Sequence, residues 1–343
     1  MKKIIERYKQ IRKNTLLGRE YAHSYAFIGM GAHALQNLYP VLNYLHVPLK
    51  YIVTRTEKSA ELVHNLYANC EGTTNLDKVL VDKSVRGVFI CTTPTSHYDL
   101  VLKTLSAGKH AFVEKPPCTS PEALKTLIKT QEKGNSDVFV GLQRRYAPAF
   151  SILKSRLKDI NHYVYRYATG AFPEGDVLFE LFIHPIDAMH FLFGKAEVKS
   201  SLHNKSTYLL NVLHENGVIG IIELSADYSW KESFEYLSVN TGNGIFVLNG
   251  LDSLVFQKKP KVIARIPLEK ITTQTPQHTI LFNRNTFVAN VQNNELFTNG
   301  FYDGLKSFVD FCEKEDAKLN KSGLSETLKT FDFLNQLKLP IRH

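Results

Sequence analysis

Six residues constrain this chain more than any others. Gly29-Met30-Gly31-Ala32-His33-Ala34 stands between the apolar run Ala26-Phe27-Ile28 and a helix-spaced series, Leu35, Leu38, Val41, Leu42 and Leu45. The pattern predicts strand, tight turn, helix. In such a turn the first glycine permits the reversal, the second lets backbone approach a ligand, and a small third residue lets the helix pack on the strand. The helix start then presents N–H groups to an anion. The context points to a dinucleotide pyrophosphate against Gly29, Met30, Gly31 and Ala32, with a purely structural turn as the competing reading.

The same rhythm continues. Leu49–Thr54, Val88–Cys91, His110–Val113 and Val138–Val140 read as strands, alternating with helical patterns at 59–67, 98–107 and 121–133. Val88-Phe89-Ile90-Cys91 is apolar throughout, as a strand buried on both faces should be. Alternation of this kind predicts an α/β fold, a doubly wound parallel sheet with right-handed crossovers. After Gln143-Arg144-Arg145 the rhythm changes: a strand at 163–167, a helix at 178–193, then six strands between 198 and 256 and two closing helices, 302–313 and 325–337. This half reads as an α+β domain with a large, mostly antiparallel open sheet. The expected division is a helical arm at 1–24, a Rossmann domain at 25–143 and a substrate-binding and oligomerisation domain at 144–343, in keeping with 343 residues at about 100 to 200 per domain.

Charge and cysteine usage narrow the function classes. The formal net charge is +9, concentrated at the start in Lys2, Lys3, Arg7, Lys9, Arg12, Lys13 and Arg19. A basic balance admits anionic partners, but no Arg-rich run interleaved with aromatics and no zinc-finger spacing appears, so no nucleic-acid partner is expected. The four cysteines are far apart without a C-x-x-C pair, which suggests free thiols in a reducing cytoplasm and no metal site. No apolar run approaches the ~20 residues of a membrane span, and no secretory signal is read at the start, so neither membrane partner nor export is expected.

The second strand ends at Thr54-Arg55-Thr56, where a site preferring NAD would place an acid for the ribose hydroxyls. A hydroxyl followed by a guanidinium suits a 2′-phosphate instead. NADP is therefore favoured over NAD, against the alternative of a solvated loop arginine.

The segment Val88–Pro116 reads VFICTTPTSHYDLVLKTLSAGKHAFVEKP. It resembles the Gfo/Idh/MocA family of nicotinamide-dependent oxidoreductases, which shows a Thr-Pro-x-x-x-His turn followed by Ala-Gly-Lys-His and Glu-Lys-Pro. Aligned on His97, the family's Thr falls on Thr92 and its Pro on Thr93, with Pro94 one place later. Ala107-Gly108-Lys109-His110 and Glu114-Lys115-Pro116 match without a gap. The resemblance covers about residues 25 to 340. It implies cofactor contacts from Thr92, Thr93, Pro94, His97, Glu114 and Lys115, with Lys115 also reaching the substrate hydroxyl. It further implies a homo-oligomer, dimer or tetramer, built on the open sheet.

Glu180-Leu181-Phe182-Ile183-His184-Pro185-Ile186-Asp187 stands where the family has Asp-x-Gly-x-His-x-x-Asp. On an α-helix Glu180 and His184 share a face, so carboxylate and imidazole would converge on one substrate hydroxyl. His184 is then the expected general base or acid, because imidazole titrates near working pH. Phe182 replaces a glycine and would narrow the pocket or alter the start of the helix. His190 points about 120° from His184 on an ideal helix, poor geometry for a shared metal, and is expected in the core. Arg144 and Arg145 could bind an anionic sugar or pair with carboxylates; Arg145 is carried as a substrate-binding candidate. Trp230 and Lys231 could reach the site, although an aromatic there is more often packing or interface. The expected activity is hydride transfer between NAD(P) and a sugar, polyol or sugar derivative, with Lys115, His184 and Glu180 as catalytic residues. The alternative is a non-catalytic dinucleotide-binding sensor.

Overall fold

The computed structural model describes residues 1–17, 20–67, 69–172, 175–271, 277–284 and 294–338. Two compact units emerge: one comprises Met1–Cys118, Thr126–Gly141 and Leu305–Gly323, the other Thr119–Lys125, Leu142–Gly304 and Leu324–His343. The division differs from a single boundary near 143 in two respects, the first being that residues 119–125 group with the second unit. The second is that residues 305–323, late in the sequence, return to the first unit.

The first unit opens with α1 (Lys2–Leu17); residues 18 and 19 of the expected arm lie outside the described residues. Its six strands are β1 (Ser24–Ile28), β2 (Leu49–Val53), β3 (Glu71–Thr73), β4 (Val85–Ile90), β5 (His110–Val113) and β6 (Val138–Val140), interleaved with α2 (Tyr39–Tyr44), α3 (Glu57–Leu66), α4 (Leu76–Val81), α5 (Pro94–Ser106) and α6 (Pro121–Glu132). The order is β3-β2-β1-β4-β5-β6 with every pairing parallel. The chain reverses direction of travel beside β1, which makes the C-terminal ends of β1 and β4 the switch point where ligands of doubly wound sheets bind. Phe27, Phe89 and Phe139 are fully buried. A late helix, Phe301–Lys314, explains why 305–323 belong here: its Phe308 ring lies 5.1 Å from Phe89 and 5.3 Å from Phe139, and Gly87 leaves room for Phe308 and Cys312, each about 3.0 Å from where a Cβ would stand. Apolar residues at helical spacing in that segment were legible, but not which sheet they would cover.

The second unit holds α7 (Pro148–Arg156), β7 (Ile160–Ala168) and α8 (Ile183–Phe193). Then come β8 (Ala196–His203), β9 (Thr207–His214), β10 (Ile219–Ser225), β11 (Phe234–Thr241), β12 (Gly244–Asn249), β13 (Ser253–Lys258), the short ribbon β14 (Val262–Ile263) and β15 (Ile266–Pro267), and β16 (His278–Asn283). The helices α9 (Glu295–Thr298), α10 (Phe301–Lys314) and α11 (Leu324–Gln336) close the chain. Eight strands form one sheet, β16-β13-β12-β11-β7-β10-β9-β8. It is antiparallel except for β7 with β10, which run parallel with Ala168 opposite Ser225. Alternation is clean: Leu210 and Val212 of β9 and Ile222 and Leu224 of β10 are buried, whereas Leu209, Leu213, Ile219 and Ile221 are exposed. One face is therefore core and the other an apolar surface. No helix among the described residues is long and apolar enough to cross a membrane.

Candidate active site

In the first unit the glycine turn is held by three strand ends. Gly29 N–H donates to Val53 O at 2.9 Å, and Gly29 O accepts from the Tyr39 hydroxyl at 3.0 Å. Gly29 has φ +109°, and a Cβ there would fall 2.0 Å from the carbonyl oxygen of Cys91. Only glycine fits. Around Gly31, by contrast, a Cβ would meet nothing within 4 Å. Its carbonyl accepts from Leu35 N–H at 3.0 Å, opening the helix, and Ala34 is fully buried as the close-packing third position requires. That helix is not uniform: residues 34–38 form a π turn before α2 continues, a distortion frequent at functional sites.

At the end of β2, Thr54 is buried and its hydroxyl donates to Thr56 O at 3.0 Å, while Arg55 is exposed. Glu57, the first acid after the strand, accepts a hydrogen bond from the Thr74 hydroxyl.

After β4, the displaced proline finds a physical reason. Pro94 occupies the first turn of α5, with Thr93 extended before it (φ −70°, ψ 142°), a position where a missing N–H costs nothing. The Ser96 hydroxyl lies 2.8 Å from that of Thr92 and donates to Thr93 O at 2.8 Å. His97, expected among the cofactor contacts, is instead only 1% exposed. Its Nδ1 lies 2.7 Å from Pro116 O, and its Nε2 lies 3.1 Å from Thr92 O and 3.4 Å from Thr92 N. Burial lowers its pKa, against the pull of the two carbonyl oxygens. His97 ties the Thr92 turn to the Glu114-Lys115-Pro116 segment, whose Lys115-Pro116 bond is cis.

Glu114 is buried at 5% exposure, and Lys115 is half-buried. The Glu114 carboxylate lies 3.6 Å from His33 Nε2 and accepts from Lys115 N–H at 3.3 Å. It packs on Gly141, where a Cβ would fall 2.9 Å from it. Gly29, Thr92 and Glu114 therefore gather at adjacent strand ends. Sequence reasoning missed His33 and Gly141, whose parts depend on contacts across about 80 and 27 residues of chain, invisible to local spacing.

In the second unit two expectations change. Arg145 is 2% exposed and grips Asp187 by two bonds of 2.8 Å, from Nε and Nη2. Thr330 donates to Asp187 Oδ1 at 3.2 Å, and His190 Nδ1 lies 3.1 Å from the Thr330 hydroxyl. As a substrate-binding candidate Arg145 is thus corrected: its guanidinium is consumed by a buried network joining residues 143–146, α8 and α11. Arg144 is likewise taken, by Glu235 at 3.0 and 2.9 Å, with the Tyr165 hydroxyl on the same carboxylate at 2.6 Å. His190 sits in the core as expected, and burial pulls its pKa down to about 3.

The helix expected over 178–193 is interrupted. Residues 177–181 form a π turn, Phe182 is a turn residue, and α8 begins at Ile183. Asp176 caps the π turn by accepting from Leu178 N–H at 3.0 Å, and Glu180 reaches back to accept from Asp176 N–H at 3.1 Å, a reciprocal capping arrangement. Glu180 and His184 therefore do not lie on one uninterrupted α-helix, and the Glu180 carboxylate is held against Gly175 and Asp176. Phe182 is fully buried with its ring 5.9 Å from Tyr208; it changes the start of the helix and does not stand as a plug in open space. His184 is 8% exposed.

Comparison with known proteins agrees with this architecture. Residues 23–142 match the model of an oxidoreductase family with an NAD-binding Rossmann fold, GFO_IDH_MocA. The scyllo-inositol 2-dehydrogenase (NAD(+)) of Bacillus subtilis is 25% identical over 195 residues, half of this chain and 57% of that relative. The chain thus spans under two thirds of the length of that relative. Among solved structures, a dehydrogenase from Clostridium difficile superposes with a TM-score of 0.75 at 17% identity, over 92% of this chain and 98% of that one. A 3-ketoreductase from Actinomadura kijaniata in complex with NADP gives 0.68 at 12% identity, over 91% and 96%. At such identities these two speak for the fold alone.

Proposed function

We propose, from the premise that residues 23–142 make this chain a member of the Gfo/Idh/MocA oxidoreductase family, that the protein is a dehydrogenase or reductase. It moves hydride between a nicotinamide dinucleotide and a hydroxyl- or carbonyl-bearing carbon of a sugar, polyol or sugar derivative. The observation that carries this reading is the contrast within the glycine turn: Gly29 is clamped and Gly31 faces open space, beside the fixed Glu114-Lys115 backbone. Such a cradle admits a pyrophosphate at the helix start, and the bound cofactor supplies the redox chemistry.

The chain supplies position and proton handling. Lys115 is assigned to the substrate oxygen, where an ammonium steadies an alkoxide or gives up a proton. His184 is assigned the role of base in oxidation and acid in reduction. Glu180, held by the Asp176 N–H, orients the substrate hydroxyl. Retention of both Lys115 and His184 supports an enzyme over a dinucleotide sensor, which needs neither. NADP is preferred over NAD because Glu57 is engaged by Thr74 while Arg55 is exposed at the strand end. The exposed apolar face around Leu209, Leu213, Ile219 and Ile221 is proposed as the subunit contact of a dimer or tetramer, and a monomeric mass by light scattering would contradict it. Four buried free thiols suit a cytoplasmic protein.

The test has two stages. NADPH and NADH are titrated by nicotinamide emission, then polyols and keto-sugars are screened at 340 nm. Lys115→Ala is expected to lower turnover by roughly a hundredfold or more, with melting temperature and NADPH affinity kept. Absence of dinucleotide binding, or a Lys115→Ala enzyme as fast as its parent, sinks the reading.

A further inference from the structure

The chain has one tryptophan, Trp230, and it is 59% exposed. Its indole is nevertheless fixed. Nε1–H donates to Ala171 O at 2.9 Å, and the ring covers Gly170, where a Cβ would fall 2.1 Å from the indole. The loop that carries it is fixed as well: Tyr228 N–H donates to Thr169 O at 2.8 Å, and the Ser229 hydroxyl accepts from the N–H groups of Lys231 and Glu232 at 3.2 and 3.1 Å. A large aromatic seated this firmly yet left in water is a poor way to stabilise a fold, since exposed apolar area contributes nothing.

Its place in the topology gives it a use. Because β7 and β10 run parallel, with Ala168 opposite Ser225, the loops that leave them emerge at the same end of the sheet. The loop after β10 carries Trp230, and the loop after β7 leads into the Glu180–His184 segment. Trp230 rests on Gly170 and Ala171 of that second loop, while the Glu180 carboxylate rests on Gly175 and Asp176. Gly170 and Gly175 are five steps apart in the chain, at most about 18 Å. Burial falls off along the same path, from His184 at 8% exposed, through half-buried Glu180, to Trp230 at 59%.

We infer that Trp230 is the platform for a sugar ring beyond the reacting one, so that the substrate is at least a disaccharide or a glycoside with a second pyranose. The inference rests on the sugar-oxidoreductase reading above and names its substrate class. A pyranose has an apolar C–H face and an equatorial belt of hydroxyls; stacked on a fixed, exposed indole it buries the first and leaves the second in water. Lys338 is matched with Asp176 and Arg166 with Glu223, and the exposed Lys231 beside Trp230 is outnumbered in its loop by Asp227 and Glu232, which suits a neutral ring better than a phosphate-bearing nucleotide.

Because Trp230 is the sole tryptophan, intrinsic emission reports on this position alone. The whole chain is titrated with maltose and with cellobiose, and with glucose for comparison. A saturable emission change is expected with a disaccharide, with glucose needing about tenfold higher concentration. Gly170→Ala keeps the tryptophan but drives a Cβ into its seat, and should weaken the response at least fivefold. By calorimetry, Trp230→Ala should weaken disaccharide binding about tenfold. NADPH binding, followed by nicotinamide emission in the same samples, separates the two readings: if it fails, the oxidoreductase assignment fails. If it holds while no disaccharide alters tryptophan emission, the Trp230 platform alone is overturned. A response to thymidine monophosphate but not to sugars would make it a base platform instead. A blue shift on raising protein concentration alone would make it a contact between copies.

Discussion

The glycine turn of the first unit and the Arg144-Arg145 pair of the second both follow the end of a parallel strand, and both carry groups suited to an anion. In the first the suitability survives folding. Gly29 is fixed by Val53 and by the Cys91 carbonyl, and the space over Gly31 stays open. In the second it does not. Glu235 and Asp187, 91 and 42 residues further on, take both guanidiniums into the core. A site made by backbone conformation is specified by its own few residues. A site made by charge is specified by whichever counter-charge the fold delivers.

The buried arginine offers the largest effect with which to break this comparison. Removing one partner of a buried ion pair costs about 3–5 kcal/mol, and without Asp187 the Arg145 guanidinium keeps only the partly exposed Glu326, 3.4 Å away, which puts the cost toward the lower end. Asp187→Ala should therefore lower stability by that order in urea denaturation, and Arg145→Met combined with Asp187→Leu should recover a good part of it. If Asp187→Ala melts normally while Arg145→Met raises only a sugar KM, Arg145 serves substrate after all.

Next come the two glycines, expected to respond in opposite ways. Gly29→Ala places a Cβ 2.0 Å from a backbone oxygen at φ +109°, which should cost roughly 2–4 kcal/mol. Gly31→Ala meets no protein atom, so its stability should stay within about 0.5 kcal/mol while NADPH affinity falls. An unaltered NADPH titration for Gly31→Ala would mean that no phosphate uses that space.

How much could be read beforehand follows the same division. The Rossmann half was legible because strands buried on both faces are continuous apolar runs, and because Gly29, Gly31, Ala107-Gly108 and Glu114-Lys115-Pro116 act through local backbone. The π turn at 177–181 was not: its capping by Asp176 and Glu180 looks, in sequence, like one more helical turn. Neither was the inward turn of His97, which depends on the Pro116 and Thr92 backbone groups that meet its ring only in the fold. The return of 305–323 to the first unit required knowing which sheet lacked a cover.

Each unit holds a buried histidine with a lowered pKa, and the one in the second unit gives a test. Burial lowers the pKa of His110 to about 4 and that of His190 to about 3. In the unfolded chain both titrate near 6.5. A depressed folded pKa means that the unfolded state takes up the proton first, so the stability these groups contribute is complete above about pH 6.5. It is lost as pH falls toward and through about 4 and 3 respectively, at up to about 1.4 kcal/mol per pH unit for each. His190 donates from Nδ1 to Thr330 and leaves Nε2 buried with no hydrogen-bond partner, so a second proton there has nowhere to be solvated. Thermal melts at pH 7 and pH 5 should therefore differ less in His190→Gln than in the parent. An equal difference would show that His190 does not resist protonation.

The smallest effect sharpens the cofactor side of the comparison. Thr54 is buried with its hydroxyl spent on Thr56 O, and Glu57 is turned to Thr74, which leaves Arg55 as the group at the end of β2 able to meet a 2′-phosphate. An exposed guanidinium is screened by salt, so its contribution is modest. Arg55→Ala should weaken NADPH about tenfold, or roughly 1.4 kcal/mol, and NADH by less than twofold. The NADPH preference of the parent should shrink with added salt in the same direction. Equal losses for both cofactors would reduce Arg55 to general electrostatics, and tighter binding of NADH by the parent would reverse the preference argued from this strand end. Either result would show that the arginine at the end of β2, like Arg145 in the second unit, takes its role from partners that spacing does not reveal.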